Sequence, residues 1–314
     1  MAEAFTFQNP IAKDVIKNIR DPFIMLEGDT YYLTGTIPPY WNGKSEGVKL
    51  WKSEDLLHWE EIGFILHRSV AKENSWFRDF WWAPEIHKKN GKFYLTVNCR
   101  NDELKIGQNP LIAVSDKIDG EYTLLNADYP LFTKEKFEEG SVIIPDGNDA
   151  NLFTDDDGKT YITCCSWDGI FLYEINLETA ELIGKETPVV LPAEEGAWDT
   201  KIEGQFIIKH GGKYICFYSS FTRSYEVGVS YANSIRGPWI KDERNPLITP
   251  ESVDGLWHSG HNCIFKDKQG RYLTAYHITL ENDGDTQLLA LDKIDFDDEN
   301  NVLTNAPTLD EQTI

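Results

Sequence analysis

The sequence lacks both the cysteine pattern of a disulfide scaffold and the long apolar run of a membrane-spanning helix. Its five cysteines are odd in number, show no metal-type spacing and lie mostly in predicted strands, which indicates buried thiols. No apolar stretch approaches the length of a membrane span. The first residues lack the basic and apolar regions of a signal peptide, so the sequence as given predicts a cytoplasmic protein. A secreted or periplasmic protein is the alternative if a signal has been removed.

Basic residues are also scarce, since 30 lysines and arginines face 52 acidic residues and the formal net charge is −22. Such a charge repels phosphate backbones and anionic membrane surfaces, so we expect no nucleic-acid partner and no membrane partner. A neutral substrate is indifferent to it. The acidic runs at 155–157 and 295–299 lie between predicted strands beside Gly or Asn, which favours solvated hairpin turns over calcium loops.

Helical periodicity is scarce, and a repeat stands in its place. A glycine followed by an aromatic-rich strand occurs five times, at intervals of 63, 67, 54 and 58 residues. Each interval has room for about four strands, and alternating apolar and polar residues follow the aromatic strand. The sequence predicts an all-β fold, a single five-bladed β-propeller of residues 1–314 with repeats over about 15–300 and a central funnel-shaped active site. The repeated glycines are Gly28, Gly91, Gly158, Gly212 and Gly270.

One polar residue precedes the aromatic strand of each repeat, at the start of another apolar run. In a propeller the first strand of every blade lies along the central channel, so these five residues are expected to meet there. Carboxylates in one cavity push their pKa values apart, as acid and base catalysis requires. Hydrolysis of a glycosidic bond needs one acid for the leaving oxygen and one carboxylate that activates water or attacks the sugar. The five residues are Asp21, Glu85, Asp149, Glu203 and His261.

An ordered set of motifs surrounds these residues. The motifs are Arg20-Asp21-Pro22-Phe23, Trp82-Ala83-Pro84-Glu85, Asp149-Ala150-Asn151, Glu203-Gly204 and Gly260-His261-Asn262. Together they resemble glycoside hydrolase family 43, the five-bladed propellers that cleave arabinofuranosides and xylosides with inversion. The match runs in order across nearly the whole chain.

The resemblance implies a role for each of three carboxylates. Asp21 would be the general base, Asp149 the residue that tunes the pKa of the proton donor and orients it, and Glu203 the general acid. Each has a simpler reading. Asp21 could begin a strand before proline, Asp146 could face the funnel in place of Asp149, and Glu203 could lie at an exposed strand edge.

The resemblance also implies a wall that contacts the substrate. Glu85 would bind sugar hydroxyls there, and Trp81 or Trp82 would offer a flat apolar face to the sugar ring. Each tryptophan could equally pack in the core. Trp41 lies in a predicted loop and is a candidate contact at the rim.

His261 is the fifth residue of the predicted funnel. In the family the matching histidine holds a metal ion, often calcium, through water, or it hydrogen-bonds the catalytic carboxylates. A satisfied interior histidine is the alternative, and calcium prefers oxygen ligands. We expect no required cofactor, with a structural calcium in the channel as a further possibility.

Several activities fit these motifs. The favoured one is an inverting, exo-acting α-L-arabinofuranosidase or β-xylosidase on neutral pentose-containing oligosaccharides. An endo-acting arabinanase or a non-catalytic glycan-binding propeller are the alternatives, although the latter would be expected to lack one carboxylate. A retaining fructosyl hydrolase would need Glu-Cys where this chain has Glu203-Gly204. Many family members carry an arginine where this chain has Thr286-Gln287, so the sugar stays open, as does the oligomeric state.

Overall fold

The computed structural model describes residues 5–132 and 147–313. They form five antiparallel sheets of four strands and one sheet of two strands. The first strands of the five larger sheets contact one another in a closed ring, so these sheets are the blades of a propeller. The prediction of an all-β five-bladed propeller is confirmed.

The strands follow the chain blade by blade. Blade 1 consists of β2 (Arg20–Glu27), β3 (Thr30–Thr36), β4 (Gly47–Ser53) and β5 (Glu60–His67). Blade 2 consists of β6 (Asp79–Lys89), β7 (Lys92–Asn101), β8 (Ile106–Ser115) and β9 (Thr123–Leu124). Blade 3 consists of β10 (Asn148–Thr154), β11 (Thr160–Ser166), β12 (Gly169–Asn176) and β13 (Glu181–Val190). Blade 4 consists of β14 (Ile202–His210), β15 (Lys213–Ser220), β16 (Glu226–Ala232) and β17 (Ile240–Lys241). Blade 5 consists of β18 (Leu256–Lys266), β19 (Tyr272–Leu280), β20 (Leu288–Phe296) and β21 (Val302–Thr304).

The remaining elements are short. Strand β1 (Thr6–Gln8) pairs with β22 (Glu311–Thr313), which brings the two ends of the described chain together. Asn9 fastens them to blade 5, because its side chain both donates to and accepts from the backbone of Leu291. Two 3-10 helices span Arg68–Val70 and Pro250–Ser252, and within 5–132 and 147–313 no helix has the length and apolar character needed to cross a membrane.

The repeated glycines explain why each blade begins as a hairpin. Each one lies in the turn between the first and second strands, and their φ angles lie between 61° and 84°. Glycine adopts this left-handed conformation without a steric cost, so it is the preferred residue there. The aromatic strand that follows is therefore the second strand of its blade, and its apolar residues pack between blades.

A β-bulge recurs in the first strand of every blade and aims side chains at the central channel. At the same point in each blade the first strand advances three residues while the second strand advances two, so two residues of the first strand lie inside the register shift. The residue just inside the shift has positive φ in all five blades. A bulge bends its strand and re-aims a side chain, which is why bulges are common beside active sites. The five residues are Asp21 (50°), Ala83 (43°), Asp149 (53°), Gly204 (60°) and His261 (48°).

A second layer of side chains lies two residues further along the first strands. The rings of Phe23 and Phe206 are 6.3 Å apart, although they belong to blades 1 and 4. In the same layer Asn151 Nδ2 donates to Glu85 Oε2 at 2.8 Å, and Cys263 Sγ accepts a hydrogen bond from the backbone of blade 1 at 3.2 Å. This layer forms a floor beneath the bulge residues.

Candidate active site

A cavity of about 410 Å³ opens where the first strands begin. Three acidic side chains share its wall, one each from blades 1, 3 and 4, with three histidines from blade 5, two of which lie beside the carboxylates. The fold thus brings together the three carboxylates that the sequence singled out. These side chains are Asp21, Asp149, Glu203, His261 and His277.

Asp21 is fixed by one of its two carboxylate oxygens. Thr36 Oγ1 donates to Asp21 Oδ2 at 2.6 Å and itself accepts from the backbone N–H of Ala83 at 2.7 Å. Oδ1 is buried and lies 3.1 Å from His261 Nδ1, and no described residue donates a hydrogen bond to it. Arg20 Nε and His277 Nδ1 also lie within 4 Å of this oxygen, at 3.8 and 3.7 Å.

The surroundings of Asp21 favour its charged form. Burial by itself would raise the pKa of this carboxyl, but the charges of His261 and Arg20 and the hydrogen bond from Thr36 outweigh it, so the pKa is lowered below its usual value. His277 is neutral, because burial and the charge of Arg20 hold its pKa well below the usual range. Its Nδ1 accepts from the backbone N–H of Asp21 at 3.2 Å, as an unprotonated nitrogen must.

Asp149 experiences the opposite environment. Its pKa is raised well above the usual value, first by burial and then by the charges of Glu203 and Asp21. Its Oδ2 accepts from the backbone N–H of Gly204 at 3.0 Å and lies 3.8 Å from His261 Nδ1. One cavity thus holds a carboxyl that favours its charged form and another that favours its protonated form. Asp146, the alternative to Asp149, lies outside the described residues.

Glu203 lines the cavity and is held by a buried tyrosine. Tyr225 Oη donates to Glu203 Oε1 at 2.6 Å. Burial, followed by the charge of Glu203, raises the pKa of Tyr225 well above its usual value, so the hydroxyl remains a donor. Gly260 gives the tyrosine ring its space, since a Cβ there would lie 2.4 Å from a ring carbon. Glu203 is therefore not an exposed strand-edge residue.

His261 lies between the two aspartates and is fixed through its backbone, whose N–H donates to Ser219 Oγ at 2.8 Å. Its Nδ1 lies 3.1 Å from Asp21 Oδ1 and 3.8 Å from Asp149 Oδ2, and neither contact is a hydrogen bond. In the part of the chain that the structure describes, no three His, Cys, Asp or Glu side chains are arranged to hold a metal ion directly. A calcium ion held through water near His261 stays a prediction, and no step below depends on it.

Two tryptophans form an aromatic wall beside blade 1. Trp82 lines the cavity, and its Nε1 donates to the backbone of Tyr40 at 3.0 Å. Trp41 also lines it, is 63% exposed and meets the Trp82 ring edge to face at 5.7 Å. The guanidinium of Arg20 lies 4.8 Å from the centre of the Trp41 ring, which restrains this loop residue. Both tryptophans are thus placed where a substrate could touch them.

Trp81 does not bind substrate, contrary to the prediction. Its side chain is 1% exposed, packs against Phe77 and donates from Nε1 to the Phe77 carbonyl at 3.0 Å. Successive side chains of a strand point to opposite sides, so when Trp82 faces the cavity its neighbour faces the core. Trp81 is therefore a residue of the hydrophobic core.

Glu85 also lies away from the cavity wall, contrary to the prediction of a sugar contact. The bulge position of blade 2 is Ala83, and Glu85 falls two residues later, in the floor layer. Burial raises the pKa of Glu85 to about 8, against the lowering effect of the Asn151 hydrogen bond. The five polar residues aligned in the sequence therefore do not occupy equivalent positions in the fold. Glu85 lies two residues after the bulge residue of its blade, and Glu203 directly precedes the bulge residue Gly204.

Replacing Glu85 by glutamine is expected to stabilise the protein at alkaline pH. The folded state raises the pKa of Glu85 from about 4.5 to about 8, so the wild-type protein loses free energy of unfolding as pH rises through that interval. Glutamine does not titrate and can still accept the hydrogen bond from Asn151. We expect the variant to gain roughly 3 to 5 kcal/mol at pH 9 relative to pH 4. Thermal unfolding of both proteins at a series of pH values measures this, and a difference independent of pH would contradict it.

Sequence reasoning missed Thr36 and Tyr225. Thr36 pairs with Arg20 across blade 1, so cross-strand pairing with the Arg-Asp motif could have found it. Tyr225 lies in the loop between β15 and β16 and reaches Glu203 in β14 of the same blade, with its ring against Gly260 of blade 5. No local pattern marks it.

Comparison with known proteins gives a single family. The family model described as Glycosyl hydrolases family 43 matches residues 7–301. A crystal structure of a thermostable family-43 glycoside hydrolase is similar, with 27% identity, a TM-score of 0.80 and 98% of each chain covered.

Two curated relatives carry more specific names. Xylan 1,3-beta-xylosidase of Vibrio sp is 25% identical over 86% of this chain and 49% of its own length. Xylosidase/arabinosidase of Butyrivibrio fibrisolvens is 28% identical over 84% of this chain and 49% of its own length. The chain thus spans about half the length of these relatives.

Proposed function

The chain belongs to glycosyl hydrolases family 43, and on that premise we propose that it hydrolyses pentose-containing glycans with inversion at the anomeric carbon. One observation carries the proposal. A single cavity holds Asp21, whose pKa is lowered, Asp149, whose pKa is raised, and Glu203. Glycoside hydrolysis needs two carboxyl groups, one as base and one as acid, on either side of the scissile bond.

Each carboxylate takes one part of the reaction. Asp21 lines the cavity and accepts a proton from the attacking water, while Thr36 prevents rotation of the carboxylate. Glu203 donates a proton to the leaving oxygen, and Tyr225 on its Oε1 leaves the other oxygen to carry that proton. Asp149, whose pKa is raised by burial and by the charges of Glu203 and Asp21, hydrogen-bonds the bulge glycine that follows Glu203, which suits a tuning and orienting role.

The substrate we propose is the non-reducing end of a neutral oligosaccharide that carries α-L-arabinofuranose or β-D-xylose. A cavity of about 410 Å³ lies at the lower end of the range for small-ligand sites, which favours a chain end over a polymer passing through. Trp41 and Trp82 provide the flat apolar surface that a sugar ring covers. The printed names of the two relatives, a xylosidase and a xylosidase/arabinosidase, support the same sugars.

A panel of aryl glycosides tests the proposal. The purified protein is assayed on the α-L-arabinofuranoside, β-D-xyloside, α-L-arabinopyranoside and β-D-galactoside, and proton NMR follows the first-formed anomer. We expect turnover of one pentoside with inversion. Cleavage of polymeric arabinan alone would instead indicate endo-action, and no cleavage of either would indicate a glycan-binding propeller.

Replacing Tyr225 by phenylalanine is expected to lower kcat on oligosaccharides about tenfold, because Glu203 loses the charge-assisted hydrogen bond that orients it. An aryl glycoside with a good leaving group needs no proton from Glu203, so its kcat should fall far less. Steady-state kinetics on an oligosaccharide and on such an aryl glycoside measure both effects. Equal losses on the two substrates would reduce Tyr225 to a packing residue.

A further inference from the structure

We propose that the rim between blades 4 and 5 is the subsite for the leaving-group part of the glycan, with Phe221 and Trp257 as its aromatic surface. The inference rests on the proposed function, since it concerns the sugar beyond the scissile bond. It adds that a sugar chain, rather than a small alcohol, is the preferred leaving group.

The rim is one continuous surface made by two chain segments. Ser224 Oγ, from the loop between β15 and β16, donates to the Trp257 carbonyl at 2.9 Å and lies 3.2 Å from His258 Nδ1. The Trp257 ring lies over the His258 ring, with centres 4.6 Å apart and planes at 23°. His258 lines the cavity, so Trp257 extends the cavity wall outward.

The exposed groups of this rim suit a sugar. Trp257 is 50% exposed although one face is covered by His258, and Phe221, on the cavity wall, is 37% exposed. Arg223 lies beside them and is held by Glu226, whose buried carboxylate accepts from its guanidinium at 2.7 Å. Flat apolar rings beside a fixed donor match the apolar face and the hydroxyl groups of a sugar.

The position of the acid assigns this rim to the leaving group. Glu203 must reach the leaving oxygen, and the tyrosine that holds it, Tyr225, directly follows Ser224 in the chain. The sugar that departs with the protonated oxygen therefore lies against the same loop. The aromatic pair Trp41 and Trp82 comes from blades 1 and 2 and remains for the sugar whose anomeric carbon reacts.

The test compares two substrates that share the reacting pentose and differ in the leaving group. The pentosyl fluoride has fluoride as its leaving group and no leaving-group sugar. The matching trisaccharide carries two sugars in its leaving group. We expect Trp257→Ala and Phe221→Ala each to lower kcat/KM on the trisaccharide about tenfold and to change that on the fluoride less than about twofold. Trp257→Tyr, which keeps a flat ring, should retain most of the activity.

The chain offers a matched control. Trp167 is 74% exposed in the turn between β11 and β12 and does not line the cavity, so Trp167→Ala should behave as the wild type on both substrates. Calorimetric titration of the trisaccharide into Glu203→Gln, with and without Trp257→Ala, gives a readout independent of turnover. Weaker binding with Trp257→Ala is expected there as well.

Two outcomes would overturn different claims. The subsite alone is contradicted if the wild type turns over both substrates and the variants at Trp257 and Phe221 lose activity equally on both, or lose none on the trisaccharide. Absence of wild-type turnover on both substrates would contradict the proposed function and the subsite with it.

Discussion

Glutamine in place of Glu203 is expected to reduce hydrolysis of natural oligosaccharides by about a thousandfold, and that of aryl glycosides with good leaving groups by far less. Only a poor leaving group needs the proton that Glu203 supplies, so the loss should grow with the pKa of the departing alcohol. Glutamine is nearly isosteric, and its amide oxygen can still accept from Tyr225, so the cavity keeps its shape.

The measurement is kcat/KM for a series of aryl glycosides whose phenols differ in acidity, beside one disaccharide. Glu61→Gln serves as the control, because Glu61 pairs with Lys49 on an outer strand of blade 1, away from the cavity. Equal losses on activated and natural substrates would exclude Glu203 as the general acid.

Asparagine in place of Asp21 is expected to abolish hydrolysis of both substrate classes, by about a thousandfold or more. Attack by water is common to all of them, and an amide cannot take its proton. The amide oxygen can replace Oδ2 as acceptor for Thr36, so the side chain should keep its place. The effect therefore reports on chemistry rather than on folding.

Steady-state rates on an aryl glycoside and a disaccharide, with thermal unfolding as the check on folding, measure this effect. Added azide supplies a nucleophile that needs no base, so any azide product should have the inverted anomeric configuration. A product of retained configuration, or a variant that loses only the disaccharide, would contradict direct attack by a water activated at Asp21.

Two sequence predictions failed for the same reason, which is strand geometry. Trp81 and Trp82 are adjacent, and nothing in the sequence tells which of them faces the cavity, because both suit a half-buried strand. Glu85 aligns with the other polar residues when each is counted from its aromatic strand. The bulge of blade 2, however, lies at Ala83, and two residues move a side chain to the layer below.

The parts of the site that sequence reasoning missed are contacts between residues far apart in the chain. Thr36 of blade 1 joins Asp21 to the backbone of blade 2, and Tyr225 meets Glu203 in the cavity wall. His277 lies in β19 of blade 5 and accepts from the backbone of Asp21 in blade 1. Such contacts depend on how blades pack, which no local pattern encodes.

The sequence by itself determined the number of blades, their hairpins and the carboxylates that reach the cavity. Those features are local, because a glycine with positive φ, an alternating strand and a motif around an acid are each set within a few residues. Only the tertiary structure decided which carboxyl is charged and which is protonated. Asp21 and Asp149 have the same side chain, and burial raises the pKa of both. The two pKa values separate because the charges of His261 and Arg20 outweigh burial at Asp21, whereas the charges of Glu203 and Asp21 add to it at Asp149.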